Sequence, residues 1–450
     1  MSARVGESDP TRVADALAYL QRLVDHEISS VGISAGQVDG LNLDAPAAVL
    51  DVLGRPDRAL RIVHITGTNG KGSVARMVEA LVTASGLRAG TYLSPEGTVN
   101  ERIRIDGAPL DDESLADAII SVRNAAEASG QTLTAFEAVT LTALVAFADA
   151  PVDVAVIEVG LLGRYDATNI VDGDVAVITS IDGDHTDFAE RWLERVAEEK
   201  AGIIKAGSTV VLGHVADELM PIIEAEPSDK IVRIDRDFEV LDDRIAVGGR
   251  QLELVTSRRS QITVHVPLHG AHQSANAAVA IEATESVLHV NLSDDTVAAA
   301  FESLVIPGRI EVARVEPLVV LDGGHNPDAA RSLGETLSES FMVAGRRVAV
   351  IGMLAGRSPK RYLEALNAEF PLDLVVACAV GGDRGSDGTW IAEAADELSM
   401  AVVAAPSIDA GLRRALREGD ESDLIVVAGS FRVLEPARAT LRSVAAAQHD

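Results

Sequence analysis

Seven consecutive residues, Gly67-Thr68-Asn69-Gly70-Lys71-Gly72-Ser73, put three glycines, a lysine and a serine into one short stretch. The apolar run "RIVHI" precedes them. A helical pattern follows, with Val74, Met77, Val78, Leu81 and Val82 recurring on one face. A glycine-rich turn between a strand and a helix aims successive backbone N–H groups at one point, and the helix N-terminus adds partial positive charge. Such a cradle suits phosphate oxygens, which a Cβ would keep out. Lys71 could then reach terminal phosphates, and the Ser73 hydroxyl a Mg²⁺ ion. The spacing departs from the general GxxxxGK[ST] loop, being shorter with one residue between Lys and Ser. A ligand-free turn is the alternative, but the order strand, loop, Lys, Ser, helix favours a nucleoside triphosphate.

A phosphate site with Mg²⁺ needs hard ligands from neighbouring strand ends. "VDVAVIEVGLLGRYDATN" closes an apolar strand at Glu158 and then turns at Gly160 and Gly163. "IDGDHTD" carries His185 among Asp182, Asp184 and Asp187, and "RWLERVAEEKAGIIK" carries Lys200 near a helix C-terminus. Each has a plainer reading: a surface carboxylate, a solvated loop histidine, a cation that suits the helix dipole.

The elements that must position these residues alternate. "RIVHI", "VDVAVIEV", "DVAVITS" and "STVVLG" are short, β-branched and bounded by Gly, Asp or Pro, as strands of a parallel sheet are. Helical periods lie between them, so the spacing predicts an α/β fold built on a P-loop parallel sheet. Residues 231–267 alternate polar and apolar around a Gly-Gly turn and predict a small antiparallel hairpin region. The βα pattern restarts at "VIPGRIEV", and "LVVLD", "RRVAVIGML", "LDLVVACAV", "MAVVAAP" and "DLIVVAGS" predict a second sheet. The division is placed at residue 305, giving parts 1–304 and 305–450.

Composition bounds the partners. At 450 residues, with 47% hydrophobic and 24% charged residues, the chain can bury two cores. A net charge of −30 argues against nucleic acid and anionic membranes. It leaves room for an anionic small molecule, and mildly favours a monomer. The single cysteine, Cys378, lies in an apolar run and excludes an internal disulfide framework. With no signal-like opening and no apolar run of membrane-spanning length, a soluble, cytoplasmic protein is expected.

Taken together, "HITGTNGKGS", "LSPEGTVNERIRIDG", "IEVGLLGRYDATN", "DGDHTD", "EEKAGIIK", "HGAHQSANAAVAIEA", "IPGRIEV", "LDGGHNP" and "GML" resemble the folylpolyglutamate synthase/dihydrofolate synthase family of the Mur ligase superfamily. The resemblance implies an ATP-binding domain followed by a smaller Rossmann-like α/β domain. It implies an ATP- and Mg²⁺-dependent ligase of folate biosynthesis and one-carbon metabolism, joining L-glutamate to dihydropteroate or folates through an acyl phosphate. Gly67, Thr68, Asn69, Gly70, Lys71, Gly72 and Ser73 would hold the ATP phosphates. Asn276, Arg309 and Asp322 would contact the nucleotide. Ser73, Ser94, Glu158 and His185 would ligate the metal, with Lys200 as a carbamylated lysine beside them. Lys71, Lys200 and His325 would be the catalytic group, and Phe136, Glu137, Tyr165 and Asp166 would bind the pteroate. The segments depart from the family at Glu96-Gly97, where a His usually follows Ser-Pro. They also depart at Leu162 and Tyr165 in "GLLGRYDATN" and at Asp182 in "DGDH". ATP-facing residues are kept, so a different carboxylic acid acceptor stays open, as more distantly does a P-loop phosphotransferase.

Overall fold

A computed structural model of the chain describes residues 10–23, 42–94, 97–183, 190–302, 304–382 and 385–447. The chain divides into two compact units. The first takes Met1–Asp242, Leu252–His265 and Ala275–Leu304; the second takes Asp243–Gln251, Val266–Ser274 and Val305–Asp450.

The first unit is built on eight strands. They are β1 (Arg61–Thr66), β2 (Ala89–Tyr92), β3 (Ile103–Ile105), β4 (Ala108–Pro109), β5 (Val154–Glu158), β6 (Val175–Ser180), β7 (Thr209–His214) and β8 (Lys230–Arg233). Their order is β4-β3-β2-β5-β1-β6-β7-β8. β2, β5, β1, β6, β7 and β8 run parallel, and β3 and β4 turn back antiparallel at one edge. β5 and the interior of β1 are buried throughout, because helices cover both faces. On one face Ile62, Tyr92, Ala155 and Ile157 meet Leu115, Ile119, Leu141 and Phe147 of the helices Asp112–Ser129 and Ala135–Asp149. Farther along the same face Ala176, Ile178, Val210 and Leu212 meet Ala197, Ala201 and Ile203, and the alternate residues Val63, Val156 and Val177 are buried on the other face.

Residues 231–267 differ in part from their sequence reading. "KIVR" is not in a hairpin but forms β8, the edge of the parallel sheet. Its alternation reflects an edge strand covered on one side only. The remainder gives β9 (Glu239–Ala246), β10 (Gly249–Val255) and β11 (Gln261–Val266), a three-stranded sheet of order β11-β10-β9. Two residues join β9 to β10, a connection that only antiparallel neighbours can make.

The second unit carries β12 (Glu311–Arg314), β13 (Leu318–Leu321), β14 (Arg347–Ile351), β15 (Leu374–Cys378), β16 (Val402–Ala405) and β17 (Leu424–Ala428). The order is β12-β13-β17-β14-β15-β16, parallel except for β12. This is the Rossmann-like α/β sheet expected. Cys378 is buried at the end of β15, and burial pushes its thiol up to about 12. Among the described residues no helix is long and apolar enough to cross a membrane.

Two histidines, one buried and one half-buried, set how stability responds to acid. His64 sits inside β1 with Nε2 2.9 Å from Thr168 Oγ1, and burial lowers its pKa to about 3, the Lys205 charge adding to this. Burial, then the charges of Arg309 and Arg250, lower that of His272 to about 4. Both stay neutral in the folded chain, whereas an unfolded histidine gains a proton below pH ~6.5. The unfolded state therefore binds more protons as pH falls from 6.5, and each histidine removes up to about 1.4 kcal/mol of stability per pH unit. The urea midpoint should fall from pH 6.5 to 4.5, and less steeply in His64→Gln. Equal slopes for the two proteins would refute this account.

Candidate active site at the strand ends of the first unit

The chain passes from β1 over β5 to β2, returns to β5, and then moves to β6 on the far side of β1. Strand order reverses at β1, so the carboxyl ends of β5, β1 and β6 flank a topological switch point, where open α/β sheets place ligands. The expected residues leave the sheet there. Ile65 is in register with Glu158, and Thr66 with Ile178. Residues 67–73 follow β1, Glu158 ends β5, Ser180 ends β6, and Ile181 and Asp182 follow it.

The 67–73 loop is tied down by the end of β6. Thr68 N–H donates to Ser180 O (2.9 Å), and Asn69 N–H to Ser180 Oγ (3.1 Å). Thr68 Oγ1 donates to Asp182 O (3.0 Å) and accepts from Asp182 N–H (2.9 Å). Thr179 Oγ1 donates to Asn69 O (2.5 Å). Two glycines are required by this path. Gly67 has φ +151° and a Cβ there would run into Thr179 Oγ1; Gly70 has φ +87° and a Cβ there would lie 2.5 Å from Asn276 Oδ1. Asn276, on the helix Ala271–Leu288, thus stands directly over the loop. Lys71 begins the helix Lys71–Ala84, and its Nζ folds back to donate to Gly67 O (2.9 Å) and Thr68 O (3.3 Å).

Glu158 faces the first turn of that helix. A Cβ on Gly72 would stand 3.6 Å from both of its carboxylate oxygens, where the helix dipole favours an anion. Glu158 Oε2 also accepts from Ser94 N–H (2.9 Å), and Ser73 is buried beside this turn. His185 lies outside the described residues, as do its flanking Asp184 and Asp187. Among the described residues no three His, Cys, Asp or Glu stand together. A hydroxyl, a carboxylate and a phosphate-binding loop nevertheless fit Mg²⁺, which usually takes one or two carboxylates plus substrate phosphates and water.

Lys200 is buried in the helix Trp192–Ala201. The segment that leaves β5 docks on this helix through two glycines. A Cβ on Gly163 would lie 2.6 Å from Glu199 O and 3.1 Å from Lys200 Cα, and one on Gly202 would lie 2.5 Å from Arg164 Cβ. Asn169 Nδ2 closes the join, donating to Arg164 O (2.9 Å) and Gly202 O (3.0 Å). Burial raises the pKa of the neighbouring Glu199.

The four acceptor candidates divide. The Phe136 ring lies over the Gly160 turn, where a Cβ would be 2.5 Å from Phe136 Cζ, and Tyr165 is exposed. Glu137 closes a capping box, its Oε2 accepting from Thr134 N–H (2.7 Å). Asp166 is buried, which raises its pKa, and both of its oxygens are engaged. Oδ1 accepts from Thr168 N–H (2.9 Å) and Thr168 Oγ1–H (2.6 Å), and Oδ2 from Leu161 N–H (2.7 Å). Asp166 braces the 160–170 turn.

Residues 65–284 match the Mur ligase middle domain, and residues 308–431 the Mur ligase glutamate ligase domain. A dihydrofolate synthase/folylpolyglutamate synthase of Mycobacterium tuberculosis is 39% identical over 376 residues, 78% of this chain and 77% of that protein. The chain belongs to the folylpolyglutamate synthase/dihydrofolate synthase family of the Mur ligase superfamily. Two solved members share its fold. The folylpolyglutamate synthase of Mycobacterium tuberculosis complexed with ADP and AMPPCP is 33% identical with a TM-score of 0.84, covering 96% of this chain and 99% of that one. The bifunctional folylpolyglutamate synthase/dihydrofolate synthase of Yersinia pestis, complexed with AMPPNP and Mn, is 30% identical with a TM-score of 0.81, covering 97% and 100%.

In the second unit of this Mur ligase, the family residues gather at the end of β13. Arg309 holds its guanidinium carbon 4.4 Å from the Phe431 ring centroid, and that ring seats on Gly323, where a Cβ would be 2.5 Å from Phe431 Cζ. Asp322 is buried, which raises its pKa against the opposing charge of Arg309. Its oxygens accept from Ile310 N–H (3.0 Å) and Gly324 N–H (2.7 Å). His325 Nδ1 lies 3.2 Å from Gly323 O. The sequence reading missed Thr179 and Ser180 as anchors of the phosphate loop. Their only signal was a polar "TS" closing the apolar "DVAVI" run.

Proposed function

We propose that the chain is an ATP-dependent amide ligase that adds L-glutamate to dihydropteroate and to folates, including folate polyglutamates. Its family membership sets the reaction class. The observation that carries the reading is the glycine-lined loop with Lys71 at the switch point, with the Glu158 carboxylate against its first helical turn.

A carboxylate does not acylate an amine in water, so the acceptor acid must first become an acyl phosphate. Residues 67–73 would hold the ATP phosphates by backbone N–H groups. Lys71 Nζ, parked on two neutral carbonyls, would move to phosphate oxygens, whose negative charge attracts the ammonium more strongly than a carbonyl dipole does. Its charge would offset that developing on the transferred group. A divalent metal, held by Ser73, Ser94, Glu158, His185 and Lys200 in carbamylated form, would supply further neutralisation when bound. Asn276, Arg309 and Asp322 would complete the nucleotide site, with His325 beside them. Phe136, Glu137, Tyr165 and Asp166 would form or brace the acceptor site. Residues 1–304 would act as the ATP-binding part and 305–450 as the glutamate ligase part. On the same reading the enzyme works in the cytoplasm as a monomer, its strong net negative charge opposing self-association.

The test is ADP release from Mg-ATP and L-glutamate with dihydropteroate or tetrahydrofolate present, followed by product mass. Acceptor-dependent release with a gain of one glutamyl residue supports the reading. Release that neither acceptor stimulates refutes it and turns the search to other carboxylic acids, which the altered Glu96-Gly97 segment motivates. Lys200→Ala should lower this turnover at least about 10²-fold; undiminished activity would remove Lys200 from the mechanism.

A further inference from the structure

The segment that carries the "ERIRI" motif holds two buried arginines with opposite circumstances. Arg104 is buried and paired: its Nε donates to Glu79 Oε1 at 3.1 Å. Arg102 is as deeply buried, at 8% exposure, yet among the described residues it has no carboxylate partner. Its Nη2 donates to Tyr92 Oη at 2.9 Å, which also accepts from Thr140 Oγ1 at 3.2 Å. Its guanidinium carbon lies 5.5 Å from the Tyr92 ring centroid and 5.6 Å from that of Phe136. Nε is buried and donates to nothing, and Nη1 makes no hydrogen bond among the described residues. The placement is built: Thr98 and Glu101 close a capping box around the turn Val99–Arg102, and Leu93 N–H donates to Arg102 O at 2.8 Å.

A buried cation without a counter-ion is costly, and two aromatic faces offset only part of that cost. The neighbours of Arg102 lead to the strand-end cluster. Tyr92 is in register with Ile157, one residue before Glu158, and Phe136 lies over Gly160. We propose that Arg102 is the anion anchor of the acceptor site, its Nη1, which makes no hydrogen bond among the described residues, receiving the carboxylate of the acceptor acid while Phe136 carries the attached ring. This rests on the ligase reading above and names the group that recognises its acid substrate.

The test compares dihydropteroate with its carboxamide analogue, titrated calorimetrically into the full chain and into Arg102→Met and Arg102→Lys. The wild type should prefer the acid at least about 30-fold, a charge pair's worth. Arg102→Met should lose that preference while binding the amide and ADP as before, and Arg102→Lys should keep part of it. Unchanged amide and ADP affinities show that the variant is folded. An Arg102→Met protein that keeps the preference, or loses acid and amide equally, overturns the proposal. If the wild type binds no pteroate at all, the folate reading fails separately. The anchor is then judged by 4-aminobenzoate against 4-aminobenzamide on the same proteins: loss of acid preference in Arg102→Met upholds it, and no preference in the wild type refutes it.

Discussion

Lys71→Ala should lower acceptor-dependent ADP release about 10²–10³-fold, the usual cost of removing one charge-stabilising donor. The fold gives little reason for the protein itself to suffer. Among the described residues Nζ donates to Gly67 O and Thr68 O, at a half-buried site where water can satisfy both carbonyls once the ammonium is gone. The melting temperature should therefore move by a few degrees at most while turnover collapses. Affinity for a non-hydrolysable ATP analogue should fall less than turnover does, since the ammonium is needed most where charge develops. Lys71→Arg should not restore the rate, because a planar fork cannot replace a point donor within a loop this tight. Turnover within tenfold of wild type for Lys71→Ala would remove the lysine from the chemistry.

Gly67→Ala should be damaging by a different route. The added Cβ meets Thr179 Oγ1 and comes within 3.1 Å of Ser180 N, at a φ that L side chains rarely adopt. Overpacking of this kind costs about 1–3 kcal/mol. The loop can relieve it only by pulling away from β6, surrendering the bonds from Thr179 and Ser180 that aim its N–H groups. A displacement of that order should reduce turnover about 10²-fold. Gly72→Ala is the counterpart. It is helical, its Cβ would make ordinary contact with Glu158, and alanine favours a helix by about 1 kcal/mol over glycine. Its stability should equal or exceed that of the wild type. Thermal denaturation and turnover of the two variants side by side check this, and indistinguishable behaviour would show that the loop path is not constrained as described.

The legible parts of this fold were the elements buried on both sides. β1, β5, β6, β7 and five strands of the second sheet are largely apolar runs, and each falls on its expected stretch, β1 and β7 passing its end by one residue. β2 was hidden because "AGTY" is short and contains Gly90, which strand propensity disfavours. The glycine is there because the Phe147 ring occupies the space, 2.6 Å from where a Cβ would be. β8 and β12 were hidden by lying at sheet edges, where alternation replaces a solid apolar run. At the site, spacing alone marked the glycines, Lys71 and Ser73, because their chemistry is local. Thr179 and Ser180 were invisible, being ordinary residues that gain a role only once β6 pairs with β1. The same holds for Arg102, whose lack of a carboxylate partner among the described residues is a fact of packing.

The paired glycines Gly163 and Gly202 also bear on how such an enzyme can change its substrate. Backbone meets backbone there with no side chain between, so the turn bearing Tyr165 and Asp166 and the helix bearing Lys200 behave as one rigid piece. Drift on either side is penalised by the other, so on the function proposed above the turn could not be retuned for a new acceptor without disturbing Lys200.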